Sequence, residues 1–315
     1  MQAARYHIEH VTRYTHATRV ATSRHLACLQ PREVPRQKVH QYRLHVDPAP
    51  ADTTRATDYF GNTLHTFNVL TPYEELTVTS RSVVDITPRL DVIIPSESPT
   101  WEDVRDRIAR HPDPELDEVL EFSYESPLVE VGSKLAEFAG PSLVAGRPVL
   151  EVALDLMHRI HRGFTFSSEA TTVATPVSKV LADRRGVCQD FAHLQIACMR
   201  SVGLAARYVS GYLLTDPPKG QKRLIGADAS HAWLSVWCPR HGWVDLDPTN
   251  GMVPDIRHVT IAWGRDYGDV SPLKGVVLGG GHQTLHVGVS VIPEPEFEPD
   301  MPPLEIPFDA FLERP

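Results

Sequence analysis

The chain has 315 residues, 42% of them hydrophobic, and a formal net charge of −9, the make-up of an ordinary globular protein long enough for two domains. The acidic balance, with no basic run and no basic patch interleaved with aromatics, argues against nucleic acid and against an anionic membrane surface as partners. Met1 to His10 lacks a leader's apolar stretch, no later segment approaches the roughly 18 apolar residues of a membrane span, and four irregularly spaced cysteines suit a reducing compartment, so the expected location is the cytoplasm.

Residues 1–90 read as an antiparallel β-sandwich domain. Alternating or β-branched runs at 5–11, 39–46, 62–70 and 76–86 are separated by Pro, Asp and Gly turns. Residues 91–160 read as a helical linker region packing on the core. It opens with a stretch containing Pro95, Ser96, Ser98 and Pro99, then shows helical patterns at 101–108, 127–138 and 148–161. Residues 161–292 carry the core. A helical pattern at 176–181 leads through Asp183-Arg184-Arg185-Gly186 into a second helix from Cys188, and strands follow at 206–214, 229–238, 243–247 and 284–292. Residues 293–315 are rich in Pro and Glu, with Phe297, Phe308 and Phe311, and read as a tail that wraps the surface or stays partly disordered. Helix packed on antiparallel sheet makes the fold class α+β.

The chemistry concentrates in the core. In Gly186-Val187-Cys188-Gln189-Asp190-Phe191-Ala192-His193-Leu194 a cysteine opens a helix, where unpaired amides and the helix dipole favour its anion and an oxyanion could find donors. Phe191, Leu194, Cys198 and Val202 fall at helical spacing, Ile196 and Met199 widen that face, and Gly203 is a stop signal. Gly186 permits a tight entry and close approach of a substrate backbone. His231 lies in a strand whose alternation sets it among aromatics, and a hairpin through Pro239-Arg240-His241-Gly242 brings back a strand with Asp245 and Asp247. Thiol, imidazole and carboxylate are the parts of an acyl-transfer site; spacing leaves the choice between the two aspartates open. His193 is five residues past Cys188, roughly 140° round the helix, and should not face the thiol. Asp190 and His193, three apart, read as a surface pair that fixes the helix against a neighbour. Trp233, Trp237, Trp243 and Tyr212 either line an apolar channel to the thiol or pack as core. The four cysteines form no Cys-x-x-Cys pair and there is no phosphate loop, Gly-x-Ser-x-Gly elbow or zinc helix, so neither metal nor cofactor is expected.

These segments, together with residues 206–213, Ser230-His231-Ala232-Trp233, Asp247-Pro248-Thr249-Asn250-Gly251, Gly264 to Pro272, Gly279-Gly280-Gly281 and Asp58-Tyr59-Phe60-Gly61-Asn62, resemble the bacterial transglutaminase-like proteins of the transglutaminase-core superfamily. The resemblance spans most of residues 1 to 292. It implies a papain-like core, with a nucleophile helix packed on antiparallel sheet, preceded by the family's β domain. It also implies Cys188 as nucleophile, His231 as base and acid, and Asp247 as the orienting carboxylate. Gln189, Asp190, His193, Tyr212 and Trp233 are candidates for supporting roles. The activity it implies is acyl transfer through a Cys188 thioester on a peptide or protein substrate. Hydrolysis of a peptide, amide or isopeptide bond leads, with glutamine acyl transfer to an amine and a catalytically silent peptide-binding module as alternatives.

Overall fold

The computed structural model describes residues 3–89, 92–110, 114–215 and 229–297. The first region is built on one strand, β1 (Ala4–Ala27), followed by β2 (Gln37–Asp47), β3 (Asp52–Thr57), β4 (Thr63–Val69) and β5 (Tyr73–Ile86). Next come α1 (Trp101–Arg110), α2 (Asp117–Glu121), α3 (Ser133–Ala139), α4 (Val149–Gly163), β6 (Thr165–Phe166), α5 (Val177–Asp183), β7 (Arg185–Gly186) and α6 (Cys188–Arg200). The chain continues with β8 (Ala206–Leu213), β9 (Ala229–Cys238), β10 (Gly242–Leu246), β11 (His258–Gly264), α7 (Tyr267–Val270), β12 (Leu273–Gly279) and β13 (Gln283–Pro293).

β1 makes the sandwich by changing partners half-way. Its first half pairs with β5 and β13, and after register shifts near Val20 its second half pairs with β4 and β12. A bulge bends a strand and increases its local twist, so one strand serves two layers. Between them lies a separate apolar core that includes Val20, Leu29, Phe67, Val69, Leu76 and Val78.

Two expectations are corrected here. Residues 284–292, read as a core strand, hydrogen bond along β1 from Tyr6↔Pro293 to His16↔Gln283 and so complete the sandwich. Alternation identifies a strand but says nothing about which open edge it will occupy. The helix read at 127–138 begins only at Ser133, because Ser126 and Val129 close a tight turn through reciprocal backbone bonds. Of the tail, Glu294–Glu296 forms a single 3₁₀ turn and Phe297 stacks on His7 at 3.6 Å; Phe308 and Phe311 lie outside the described residues.

The second sheet has the order β10-β9-β8-β11, all antiparallel. Buried residues occur all round α6, from Asp190 to Arg200, because the sheet covers one side and α3, α4 and α5 cover the rest. Such a helix needs its polar groups satisfied internally. Arg200 is held by the carbonyls of Phe122, Ala206 and Arg265 at 2.7–3.1 Å, and the Gln195 amide donates to the Ala153 carbonyl at 2.8 Å. The helix stops as the sequence suggests: Gly203 has φ +78, with Leu204 N donating to Met199 O and Gly203 N to Arg200 O, a Schellman end. Among the described residues no helix is long and apolar enough to cross a membrane.

Candidate active site

Cys188 is the first residue of α6 and is half-buried. The turn before it is fixed by Asp190, whose Oδ2 accepts from the Val187 amide at 2.7 Å and from Thr171 Oγ1 at 2.6 Å. A side chain on Gly186 would strike that carboxylate, its Cβ falling 2.7 Å from Oδ2. The glycine therefore makes room for the Asp190 cap, where the sequence suggested room for a substrate backbone. The amides of Cys188 and Gln189, the first two of the helix, have no partner within it.

The sheet brings the other two groups to this helix end. His231 is on β9 opposite Gly211 of β8, where a Cβ would collide with the Val259 carbonyl and the Trp233 ring. Only glycine lets the Trp233 indole lie against β8 beside His231. Asp247 follows β10 and is locked by reciprocal backbone bonds with Met252 at 2.9 and 3.2 Å. The turn between them lets Asp247 Oδ1 accept the amides of Thr249 and Asn250, while Oδ2 bonds His231 Nε2 at 2.7 Å, Asn250 Nδ2 at 2.7 Å and His258 Nε2 at 3.2 Å. Cys188 is near enough to His231 to help raise the imidazole's pKa. With Nε2 taken by Asp247, Nδ1 is the nitrogen left for the sulfur.

The two aspartates left open by spacing are thereby separated. Asp245 accepts from the buried Ser235 hydroxyl across the β9–β10 pair, whereas Asp247 is fully buried against His231. Burial opposes charge on both members of the His231–Asp247 pair. The bonds from Asp247 and Cys188 outweigh it at the imidazole, whose pKa is pushed up to about 10. The bonds from His231, His258 and Asn250 outweigh it at the carboxyl, which is held well below the usual carboxylate range. This is what pairing with a charge-assisted acceptor does when water is excluded.

Of the supporting candidates, Asp190 and His193 do not form the expected surface pair. Both are buried; Asp190 caps the helix, and His193 accepts from the Tyr267 amide at 3.1 Å while its ring packs 4.9 Å from Tyr208. The His193 ring is thus committed to α7 and to Tyr208. Gln189 reaches out to the Val173 carbonyl at 3.3 Å. Tyr212 is buried and its hydroxyl meets His10 Nδ1 at 2.8 Å. Trp233 is fully buried and Trp237 nearly so, so these aromatics are core and line no channel; Trp243 packs against Phe122.

Sequence reasoning missed His258 and Asn250. His258 Nδ1 accepts from the Asp255 amide at 3.2 Å, which leaves its Nε2 side for Asp247. Its strand was not recognised, although Val259, Thr260 and Ile261 form a β-branched run after it. His231, Asp247 and His258 place three ligand atoms within 4.8 Å of one another. Two ligands of a tetrahedral zinc at about 2.1 Å sit ~3.4 Å apart, so the 2.7 Å between His231 and Asp247 is the spacing of a shared proton.

Residues 6–85 match the family model of the bacterial transglutaminase-like N-terminal region, and residues 139–248 match that of the transglutaminase-like superfamily. An uncharacterised protein of Mycobacterium tuberculosis is 43% identical over 297 residues, covering 92% of this chain and 93% of that protein. A protein-glutamine gamma-glutamyltransferase of Pseudomonas aeruginosa is 32% identical over 112 residues, covering 35% of this chain and 17% of that protein. The crystal structure of a Cytophaga hutchinsonii protein described as a candidate cysteine protease superposes with a TM-score of 0.70, over 97% of this chain and 94% of that one, at 19% identity. That is a likeness of fold.

Proposed function

The chain belongs to the transglutaminase-like superfamily, and from that premise we propose that it transfers acyl groups through a thioester on Cys188, with water as the acceptor. The observation that carries this reading is His231 held between the Cys188 thiol and the buried Asp247 carboxylate. In the first step the sulfur bonds to an amide carbonyl carbon while the thiol proton resides on His231. The oxyanion so formed faces the amides of Cys188 and Gln189. His231 then passes the proton to the departing nitrogen, the C–N bond breaks, and the thioester remains. A water molecule attacks that carbonyl with His231 as base, the C–S bond breaks, and the acid leaves. Asp247 keeps the imidazole oriented and balances its charge throughout.

Water is the acceptor that needs no site of its own, whereas transfer to an amine needs a site that excludes water. The amine reading is favoured by the glutamine-transferring relative, which matches over 112 residues. Supplying a glutamine peptide with a primary amine separates the two: hydrolysis yields the free acid, transfer a product heavier by the amine. The prior test is alkylation at about pH 6, where an ordinary thiol of pKa about 8.5 is almost wholly protonated. Cys188 should label quickly and lose that speed in His231→Ala. Cys28, Cys198 and Cys238 are buried and would be slow for that reason alone, so the His231→Ala comparison decides. Slow labelling of accessible Cys188 would turn the assignment toward a silent peptide-binding module.

A further inference from the structure

A cavity of about 550 Å³ opens where the start of β2 and the end of β5 meet the β8–β10–β11 part of the second sheet. Neither Cys188 nor His231 lines it. Its apolar wall includes Ile86, Val209 and the Trp243 ring, and its charged wall holds Arg36, Arg89 and Arg207. A volume of this order takes a small organic molecule.

Arg36 and Arg89 differ from several of the other buried or half-buried arginines. Arg265 is bonded to Asp269, Arg147 lies 3.5 Å from Asp155, and Arg200 is surrounded by carbonyls. Arg36 and Arg89 have no hydrogen-bond or ion-pair partner for their side chains among the described residues, though each is only half-exposed; they repel one another, and Arg36 feels Asp245 and Asp255 only at a distance. Arg207 lies between the rings of Trp243 at 4.5 Å and Trp263 at 3.8 Å, and its one side-chain bond is a long one of 3.4 Å to Ser235. The cavity's only carboxylate, Asp245, is already bonded to Ser235, and Gln37 is used up on Arg32 and Thr260. The same walls hold two buried ring nitrogens without a partner, His241 Nε2 and Trp263 Nε1. The cavity thus sets three guanidiniums and two unpartnered ring nitrogens against one carboxylate, in a protein with a net charge of −9.

We propose that this cavity is a binding site for a small oxyanion-bearing molecule, its carboxylate or phosphate on Arg36 and Arg89 and its apolar body against Trp243. Planar guanidiniums pair with such oxyanions bidentately, and a ligand charge would relieve the mutual repulsion of the two arginines. Stacking accounts for Arg207 but not for them. Because His258 also lines the cavity, the bound molecule would border the residue that supports Asp247.

The test is a titration of tryptophan fluorescence and melting temperature at constant ionic strength, with inorganic phosphate, N-acetylphenylalanine and its neutral amide as probes. The expected result is a saturable response to the carboxylate or to phosphate and none to the amide. That response should weaken at least tenfold in Arg36→Met/Arg89→Met, with the single variant Arg89→Met as the control if the pair fails to fold. Tighter binding of the carboxylate identifies an organic acid as the source of the oxyanion, and tighter binding of phosphate a phosphate. No saturable response to either anion, or one that survives unchanged in the variants, overturns the proposal.

Discussion

His231 and His193 are both buried, one on β9 and one on α6, and their surroundings drive them in opposite directions. Among the described residues the His193 ring has one hydrogen bond, from the Tyr267 amide, and burial pushes the ring down to about 4. Asp266 is near enough to pull the other way, but its oxygens are taken by the amides of Leu128 and Gly268. Around His231 a buried carboxylate accepts directly, and the ring is pushed up to about 10. Burial by itself makes a neutral imidazole; a committed carboxylate makes one that holds its proton. The first is a strut between α6 and α7, the second a proton carrier.

The change that breaks this contrast most sharply is Asp247→Asn. With the charge gone, burial dominates at His231 as it does at His193, and the ring's pKa should fall below 6.5. Activity should drop by about 10³-fold or more, on the scale of losing the orienting carboxylate of a nucleophile–histidine pair, and Cys188 should lose its fast alkylation at pH 6. Unaltered labelling would exclude Asp247 as the source of the effect. The pair also has a pH signature in stability. His231 has its pKa raised on folding, so its contribution is complete below about 6.5 and fades as pH rises toward 10; Asp247 has its pKa lowered, so its contribution is complete above about 4 and fades in acid. The melting gap between wild type and Asp247→Asn should therefore be widest between roughly pH 4 and 6.5 and close toward pH 10.

A smaller effect is expected from His258→Phe. It removes one of several bonds to Asp247, and a bond to a charged group contributes about 1.5–3 kcal/mol. The rate should fall roughly 10- to 100-fold, and the inflection assigned to His231 should move down in pH. A rate loss with an unmoved pH profile would mark His258 as a packing residue only.

Much of this site is legible in the sequence. Cys188 opens its helix because Val187 and Asp190 form a local cap, and His231 takes its place from strand alternation, both short-range effects. Asp247 could not be told from Asp245 by spacing: the two are two residues apart, one in β10 and one just past its end, and Ser235 and His231, which sort them, come from the neighbouring strand. The roles of His258 and of the sandwich edge filled by β13 were likewise invisible, because both depend on pairing between segments far apart in sequence. The aromatics stayed ambiguous for a related reason. Period-two spacing places Trp233 on a face, but only Gly211 on the next strand shows that the face is closed.

The mildest change sharpens the comparison from the other side. His193→Gln keeps an acceptor for the Tyr267 amide but cannot titrate. In the wild type His193, His10 and His25 are all buried and each is pushed down to about 4 by burial, so the unfolded chain binds more protons than the folded one between about pH 4 and 6.5. Stability should fall as pH drops through that window, by at most ~3 kcal/mol for each histidine. Replacing His193 should remove the share of that acid slope that this ring supplies, leaving in place those of His10 and His25 and of His16 and His65, which burial also lowers, and change the alkylation rate of Cys188 by less than about twofold. His231 cannot contribute to the slope in this direction, because its raised pKa makes acid strengthen its bond to Asp247. A steepened slope, or a lost alkylation rate, would mean that His193 carries charge in the folded protein and that the two histidines are not opposites after all.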